Sequence, residues 1–376
     1  MLHGALLAVE EINSDPNRRV TFHTEVRNPG GDLNAYWEAC QDLLKARGIR
    51  HVIGCYTSSS RKEVIPLFEK FDALLWYPSH YEGFESADNV IYTGAAPNQH
   101  IVPLTAYMLR HFGNRVFCCG SNYIWAWENN RILREIVSAN GGEIVAERYL
   151  PVGDTDVGKL IDEIAKTQPA FVFNTLIGET AYAFYRAYYE RGQRDRRFRP
   201  EAMPVTSCSL SEPELLSIRG EAAAGHICSS VYFSSVDSPA NRHFASRFRE
   251  KFGLNAVTSA DAEASYDAVH LLAAAIERSG TTDPEIVKAA TYDYPLDAPQ
   301  GPVSIDRTNN HAYLTPRLGR SRRDGTFAVF ATASAPVKPD PYLTWFDAKS
   351  LIPSDPSPGQ VTNAPSSDPN LRLVQP

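Results

Sequence analysis

The chain has 376 residues, of which 43% are hydrophobic and 22% charged, and its formal net charge is −7. This length allows two globular domains with cores of their own, and the acidic balance excludes a global basic field that would attract nucleic acid or an anionic membrane. We therefore expect no direct nucleic-acid partner. No run approaches the roughly 18 apolar residues that span a bilayer, so we expect no membrane insertion either.

The N-terminal stretch MLHGALLAVEEINSD does not have the pattern of a signal peptide. It lacks a basic n-region, and Glu10 and Glu11 stand where a cleavage site would lie. As written, the sequence predicts a cytoplasmic protein. A missing true N-terminus would change that expectation to a periplasmic or extracellular-facing protein.

Helical and strand periodicities alternate along most of the chain. Helices are predicted at 4–13, 34–48, 59–72 and 98–113, with strands at 20–27, 51–56, 73–79 and 89–94. The alternation then starts again, with strands at 115–121, 143–152, 170–176, 203–209 and 225–233 and helices at 128–142, 157–168 and 179–192. This βα pattern predicts an α/β fold with mainly parallel sheets covered by helices. Two successive α/β halves imply two lobes and a cleft.

The remainder departs from this alternation. Helices are predicted at 241–253 and 259–280, followed by antiparallel strands within 298–331, where Gly, Asn and Asp mark the turns. From about Ser334 onward the chain is rich in Pro, Ser and Asp, which predicts a surface or partly disordered tail.

The sequence gives little support to catalysis, metals or cofactors. It contains no GxGxxG after a strand and no GxxxxGK[ST], GxSxG or HExxH motif. The six cysteines lie mostly in apolar runs without CxxC spacing, which favours buried thiols over disulfides or a zinc site. We therefore predict a non-enzymatic protein with no catalytic residue, metal or cofactor. The basic runs 191–199 and 317–324 are expected to be solvated faces, the alternative being contact with a partner.

Hydroxyl side chains cluster where the strand at 51–56 meets the next helix, in the stretch GCYTSSSRK. In open α/β sheets, ligands bind beyond the carboxyl ends of the strands, where helix N-termini offer unpaired N–H groups. We expect Ser58 and the helix N-terminus to hold an uncharged carbonyl oxygen, with Tyr56 as a wall. Alternatively the serines only cap the helix, or Ser58 or Cys55 is a nucleophile, which would need a histidine base such as His80.

Other predicted strands also end in hydroxyl and aromatic side chains. Alternation places Tyr77 and Ser79 on the same side of their strand. The candidates in the second half are Tyr123, Trp125, Thr175 and Ser209. Hydroxyls and strand-end carbonyls match the donors and acceptors of an amide, and no unpaired Arg or Lys stands at these ends to bind a carboxylate. The alternative is that the tyrosines simply pack the cleft.

The stretches GALLAVEEIN, GCYTSSSRKEVIP, YPSHYEGFE, NVIYTGAAPNQ, VYFSSVDSPAN and DAPQGPVSIDRTNNH, in this order, resemble the type I periplasmic-binding-protein family over residues 3 to about 342. The branch that they resemble contains the AmiC-type aliphatic amide sensors and the urea or short-chain amide binding subunits of ABC transporters. The resemblance implies two doubly wound lobes that close on a small amide or urea, lined at Tyr56, Ser58, Tyr77, Ser79, Tyr123 and Trp125. At the positions of Ser79 and Trp125, the resemblance implies Thr and Tyr, respectively, in the amide sensors.

The same resemblance implies a division of the chain and two functional hypotheses. Lobe 1 is expected at 1–113 and 236–292, lobe 2 at 114–235 and 293–345, and a Pro/Ser-rich tail at 346–376. The main hypothesis is a non-catalytic amide sensor that acts on a regulatory protein such as an antiterminator. The alternative is the binding component of an ABC transporter for urea, short-chain amides or branched-chain amino acids, with a permease as partner. A homodimer or higher oligomer is left open.

Relatives in this family have a strand and a ligand loop before the helix that begins this sequence. As written, lobe 1 is therefore expected to lack its first strand and one wall of the pocket, which would expose backbone groups that normally pair. An internal start or a trimmed sequence is the simpler explanation.

Overall fold

The computed structural model describes residues 1–292, 294–345 and 371–373. The predicted α/β class is confirmed, since helices and largely parallel strands alternate over most of this length. The predicted Pro/Ser-rich tail, 346–376, lies outside the described residues apart from a short strand, Leu371–Leu373.

Apart from the segment 20–27, the elements follow the predicted order, with two additional short helices, α8 and α11, that periodicity does not predict. The α-helices are, in chain order, α1 (Leu2–Ser14), α2 (Leu33–Gln41), α3 (Ser58–Lys70), α4 (Ile101–His111), α5 (Ile124–Ala139), α6 (Gly158–Thr167), α7 (Gly178–Gly192), α8 (Glu212–Ile218), α9 (Pro239–Phe252), α10 (Ala260–Ser279) and α11 (Pro284–Thr291). The strands are β1 (His51–Ile53), β2 (Leu74–Tyr77), β3 (Val90–Tyr92), β4 (Arg115–Ser121), β5 (Glu143–Leu150), β6 (Phe171–Thr175), β7 (Val205–Ser207), β8 (Ile227–Ser230), β9 (Leu296–Ala298), β10 (Gly301–Ile305), β11 (Ala312–Tyr313), β12 (Arg317–Ser321), β13 (Phe327–Ala333) and β14 (Leu371–Leu373).

The chain divides into two compact units. Unit one comprises Met1–Ala96, Val236–Leu314 and Pro336–Tyr342, and unit two comprises Pro97–Ser235, Thr315–Ala335 and Leu343–Pro376. These bounds differ from the predicted lobe boundaries at 113 and 292. Helix α4 belongs to unit two because Ile101, Leu104 and Met108 pack into one hydrophobic core with Val116 of β4 and Phe171 of β6.

Unit one contains a parallel sheet in the order β1-β2-β3 and a small antiparallel sheet in the order β11-β10-β9. Strand β2 lies in the middle of the parallel sheet and is fully buried. Because all three strands point the same way, their carboxyl ends and the loops that follow them lie along one edge.

The predicted strand at 20–27 is wrong, because these residues pair with no strand in the part of the chain that the structure describes. The side chain of Asn13 instead bonds both backbone groups of Phe22: Oδ1 accepts from its N–H at 2.8 Å, and Nδ2 donates to its carbonyl at 2.9 Å. A side-chain amide thus provides the bonds that a neighbouring strand would have made.

Helix α1 packs directly on the first turns of α10. Leu7, Ala8 and Ile12 are buried on the packed face. At Gly4 the two backbones approach so closely that a β-carbon would lie 1.8 Å from the carbonyl oxygen of Ala262. The close crossing therefore requires the absence of a side chain at this position.

Helix α10 also carries two buried acids one turn apart, Glu263 and Asp267. Glu263 accepts hydrogen bonds from the backbone N–H of Gln300 at 3.1 Å and from its side-chain amide at 2.9 Å. Burial, followed by the charge of Glu263 and a hydrogen bond between the two carboxyl groups, raises the pKa of Asp267 well above its usual range. The folded state therefore holds a proton that the unfolded chain releases.

Asp267→Asn is expected to remove a pH-dependent loss of stability. Because the folded-state pKa is raised, the contribution of Asp267 to stability is complete below about pH 4 and is lost as the pH rises through the folded-state pKa. The variant should therefore gain free energy of unfolding relative to the wild type as the pH rises, as measured by urea denaturation at about pH 5 and about pH 8. If the difference in free energy of unfolding between the two proteins is the same at both pH values, the raised pKa of Asp267 is contradicted.

Unit two contains one eight-stranded sheet in the order β14-β13-β12-β8-β7-β6-β4-β5. The strands from β4 to β8 pair in parallel, and β12, β13 and β14 extend the sheet antiparallel. The carboxyl ends of the parallel strands again share one edge. Within the described residues, no helix combines the length and the apolar character needed to cross a membrane.

Candidate functional site

In unit one, the loop after β1 leads into α3 at the carboxyl edge of the parallel sheet. Cys55 has a φ of 64°, and the chain turns there so that Tyr56 is half exposed. The N-cap of α3 is Thr57, whose hydroxyl oxygen accepts from the backbone N–H of Ser60 at 3.1 Å. The serines are thus not the cap; Ser58 is the first residue of the helix.

Ser58 is buried, and its hydroxyl donates a hydrogen bond to the carboxylate of Glu82. A serine hydroxyl has one proton and two lone pairs, so this contact uses its only donor. The expectation that the hydroxyl of Ser58 donates to a carbonyl oxygen therefore needs revision. The partner is an acid and not a histidine, so this contact gives no support to a serine nucleophile.

Tyr77 is also buried, at the end of β2. Its hydroxyl donates to the backbone carbonyl of Tyr56 at 3.1 Å, which joins the loop after β1 to the neighbouring strand. Burial raises the pKa of Tyr77, so the hydroxyl remains a neutral donor. The structure thus brings Tyr56 and Tyr77 together, with Tyr77 as a support for the loop.

Ser79 lies two residues after β2 and is buried. Its backbone packs against Gly94, just after β3, where a β-carbon would lie 2.1 Å from the carbonyl oxygen of Ser79. Gly94 is therefore required for the close approach of these two strand-end loops. Ser58 and Ser79 both lie at the carboxyl edge of this sheet, as predicted from the strand pattern.

A buried arginine, which the sequence interpretation missed, lies next to these residues. The Arg61 guanidinium lies 4.6 Å from the ring centroids of both Tyr77 and Tyr81, whose rings are nearly perpendicular to each other. It pairs with Glu82 at 3.2 Å and with Glu85 at 2.7 Å, while its Nη1 has no hydrogen-bond partner among the described residues. An available signal is its position on α3: Arg61, Val64 and Phe68 follow the helical repeat of the buried face.

The charges around Arg61 balance locally. Lys62 lies 2.8 Å from Glu85 and 3.9 Å from Glu82, so two cations face two carboxylates. Burial alone would raise the pKa of Glu85, but the charge and hydrogen bonds of Arg61 and the contact with Lys62 outweigh it and lower the pKa to about 2. The charge of Arg61 is therefore offset by acidic groups of the protein itself.

In unit two, Tyr123 and Trp125 lie at the start of α5, directly after β4. Tyr123 is the N-cap residue, and its ring stacks on that of Trp125 with 6.2 Å between the centroids. Tyr123 is half-buried and Trp125 is buried. The structure thus brings these two predicted residues together as an aromatic pair at the carboxyl edge of the second sheet.

The other two candidates in unit two have partners within that unit. The hydroxyl of Thr175 lies 3.1 Å from the carbonyl oxygen of Cys119 and 3.2 Å from Oδ1 of Asn130, and the residue is fully buried. Ser209 lies 3.1 Å from the hydroxyl of Ser207. Contacts of Thr175 and Ser209 with a ligand stay predictions.

Both basic runs contain an arginine that pairs with an acidic residue of this chain. In the run 191–199, Arg197 pairs with Asp195 at 2.6 Å; in the run 317–324, Arg323 pairs with Glu221 at 2.7 Å.

All six cysteines are buried. Burial raises the pKa of the Cys55 thiol, which disfavours the thiolate that a nucleophile needs. Over the described residues, no three His, Cys, Asp or Glu side chains are grouped to hold a metal ion.

Comparisons with known proteins match most of this chain. A family profile described as "Periplasmic binding protein domain" matches residues 1–347. "Leu/Ile/Val-binding protein homolog 6" of Brucella abortus (strain 2308) is 24% identical over 275 residues, which is 72% of this chain and 70% of that protein.

Two solved structures show the same fold at low sequence identity. An ABC transporter solute-binding protein from R. palustris in complex with benzoate matches with a TM-score of 0.77 and 18% identity, over 90% of this chain and 92% of the other. The substrate-binding protein LivJ from Streptococcus pneumoniae str. Canada MDR_19A in complex with isoleucine matches with a TM-score of 0.74 and 19% identity, over 87% and 92%.

Proposed function

The chain belongs to the periplasmic binding protein domain family, and from this premise we propose that it is the solute-binding component of an ABC transporter. The observation that carries the proposal is the profile match over residues 1–347, together with relatives named as ABC transporter or Leu/Ile/Val-binding proteins. These relatives favour the transporter alternative over the amide-sensor hypothesis. The proposed partners are a small solute and a membrane permease, and the role requires a periplasmic or extracellular-facing location.

For the ligand we propose a small neutral solute with an amide or urea group. In unit one, the hydroxyls of Ser58 and Ser79 and the ring of Tyr56 offer hydrogen bonds and apolar contact without a net charge. The pairing of Arg61 with Glu82 and Glu85 supports this proposal, because this cluster then carries no excess positive charge to attract an anionic solute.

A thermal-shift panel tests both parts of the proposal. The probes are acetamide, butyramide, formamide, urea, leucine and benzoate. At about 100 times its Kd, a bound solute adds about 2.7 kcal/mol to the free energy of unfolding, so at least one amide or urea should raise the Tm by several degrees. Ser58→Ala should abolish the shift, whereas the matched control Ser246→Ala, on the exposed face of α9, should keep it.

The outcomes separate the two parts. Stabilisation by leucine or benzoate and by none of the amides would retain a solute-binding role but overturn the amide ligand. Turnover of acetamide or urea by the purified protein would contradict a binding component altogether.

A further inference from the structure

We infer that Glu82 is a specificity-determining residue. It accepts the only hydroxyl proton of Ser58, so the Ser58 oxygen can only accept from a ligand N–H, and the site rejects a carboxylate. This inference rests on the proposed function, because it requires Ser58 to face the solute. It assigns a role to a residue that lies 24 positions from Ser58 in the sequence.

The first step is the state of Glu82. Its side chain is buried, and Oε1 faces two cations, Nη2 of Arg61 at 3.2 Å and Nζ of Lys62 at 3.9 Å. Oε1 of Glu82 is the anionic partner in both of these ion pairs. An ionised carboxylate can only accept hydrogen bonds. The contact between Oε2 and the hydroxyl of Ser58 therefore has one polarity: the serine donates and Glu82 accepts.

The second step concerns the hydrogen-bonding capacity that remains on the hydroxyl of Ser58. With its proton directed to Glu82, the hydroxyl oxygen offers only lone pairs to any other group. A ligand atom that approaches it must donate, as an N–H of an amide or urea does. A carboxylate oxygen would place lone pairs against lone pairs and a second negative charge near Glu82, which is unfavourable where water is excluded.

The third step concerns the backbone N–H donors in the first turn of α3. Thr57 caps the N–H of Ser60, whereas the N–H groups of Ser58 and Ser59 have no acceptor among the described residues. These first-turn N–H groups suit a carbonyl oxygen. The turn therefore offers donors from its backbone and an acceptor from the side chain of Ser58. A primary amide or urea carries both complementary groups on one carbon atom, and a carboxylate does not.

The test uses isosteric pairs that differ only in this group, acetamide with acetate and benzamide with benzoate, measured by calorimetry on the full chain. The wild type should bind the amide at least about tenfold more tightly than its carboxylate, since a tenfold ratio corresponds to about 1.4 kcal/mol. In Glu82→Gln this ratio should fall toward one. Arg61 and Lys62 hold the oxygen of the new amide, so its NH₂ donates to Ser58 and frees the serine proton for a carboxylate.

Glu85→Gln is the matched control. It removes a charge from the same Arg61 cluster, and Glu85 has no contact with Ser58, so the amide-to-carboxylate ratio should stay as in the wild type. Thermal melting of both variants checks that they fold. If Glu82→Gln does not fold, Ser58→Ala replaces it: this variant should lose about tenfold or more in amide affinity and change carboxylate affinity by less than about twofold.

Two results would overturn the inference alone: a wild type that binds benzoate as tightly as benzamide, or equal changes of the ratio in Glu82→Gln and Glu85→Gln. If neither these pairs nor any solute of the thermal-shift panel binds at all, the proposed function fails, and the inference fails with it.

Discussion

Replacing Arg61 with methionine is expected to lower the free energy of unfolding by about 3–5 kcal/mol. Methionine fills a similar volume between Tyr77 and Tyr81 but leaves Glu82 without its buried cation. Removing one partner of a buried ion pair is costly because the remaining charge stays out of water. Urea denaturation measures the loss, with the slope of the transition as a check on two-state behaviour.

Lys62→Met is the control for this effect. Lys62 contacts the same two carboxylates, but its side chain is 37% exposed, so water screens its charge and the expected loss is at most about 1 kcal/mol. Equal losses in the two variants would show that Arg61 contributes no more than an exposed ion pair.

Gly4→Ala is expected to lower the free energy of unfolding by about 1–3 kcal/mol or more. The new methyl group would lie 1.8 Å from the carbonyl oxygen of Ala262, so α1 must move away from α10 and open the contacts of Leu7 and Ile12. This clash is with backbone atoms of Ala262, so a side-chain rotation cannot relieve it. Thermal and urea unfolding measure the effect.

Gly158→Ala is the matched control, since this glycine is also helical and has a side-chain atom, Oδ1 of Asp156, no closer than 3.7 Å. Alanine there should be neutral or stabilising by up to about 1 kcal/mol, because it restricts the unfolded chain. A Gly4→Ala protein as stable as this control would refute the close crossing of α1 and α10.

The order and type of most elements could be predicted because buried strands and amphipathic helices leave local patterns in the sequence. The strand at 20–27 shows the limit of this argument. Its alternation is genuine, but a strand exists only with a neighbour to pair with, and the pattern of one segment does not report that neighbour. Asn13, which bonds Phe22, is likewise invisible to periodicity.

For the candidate site, sequence reasoning found residue types and strand ends but not their partners. Ser58 and Ser79 do lie at the carboxyl edge of the unit-one sheet. The use of the Ser58 proton by Glu82, however, depends on a contact between segments 24 residues apart. Arg61 was missed for a related reason: a charged residue next to a serine cluster suggests solvent, unless the buried face of α3 is traced through Val64 and Phe68.

The contact between Gly94 and Ser79 has a consequence for the thermodynamics of binding. With no side chain between them, the backbones that follow β2 and β3 touch directly, and neither can shift without displacing the other. If Ser79 contacts the proposed solute, this close packing should leave the two loops little conformational entropy to lose on binding. Any larger residue at position 94 would be expected to weaken binding through disorder at Ser79, even though position 94 itself need not touch the solute.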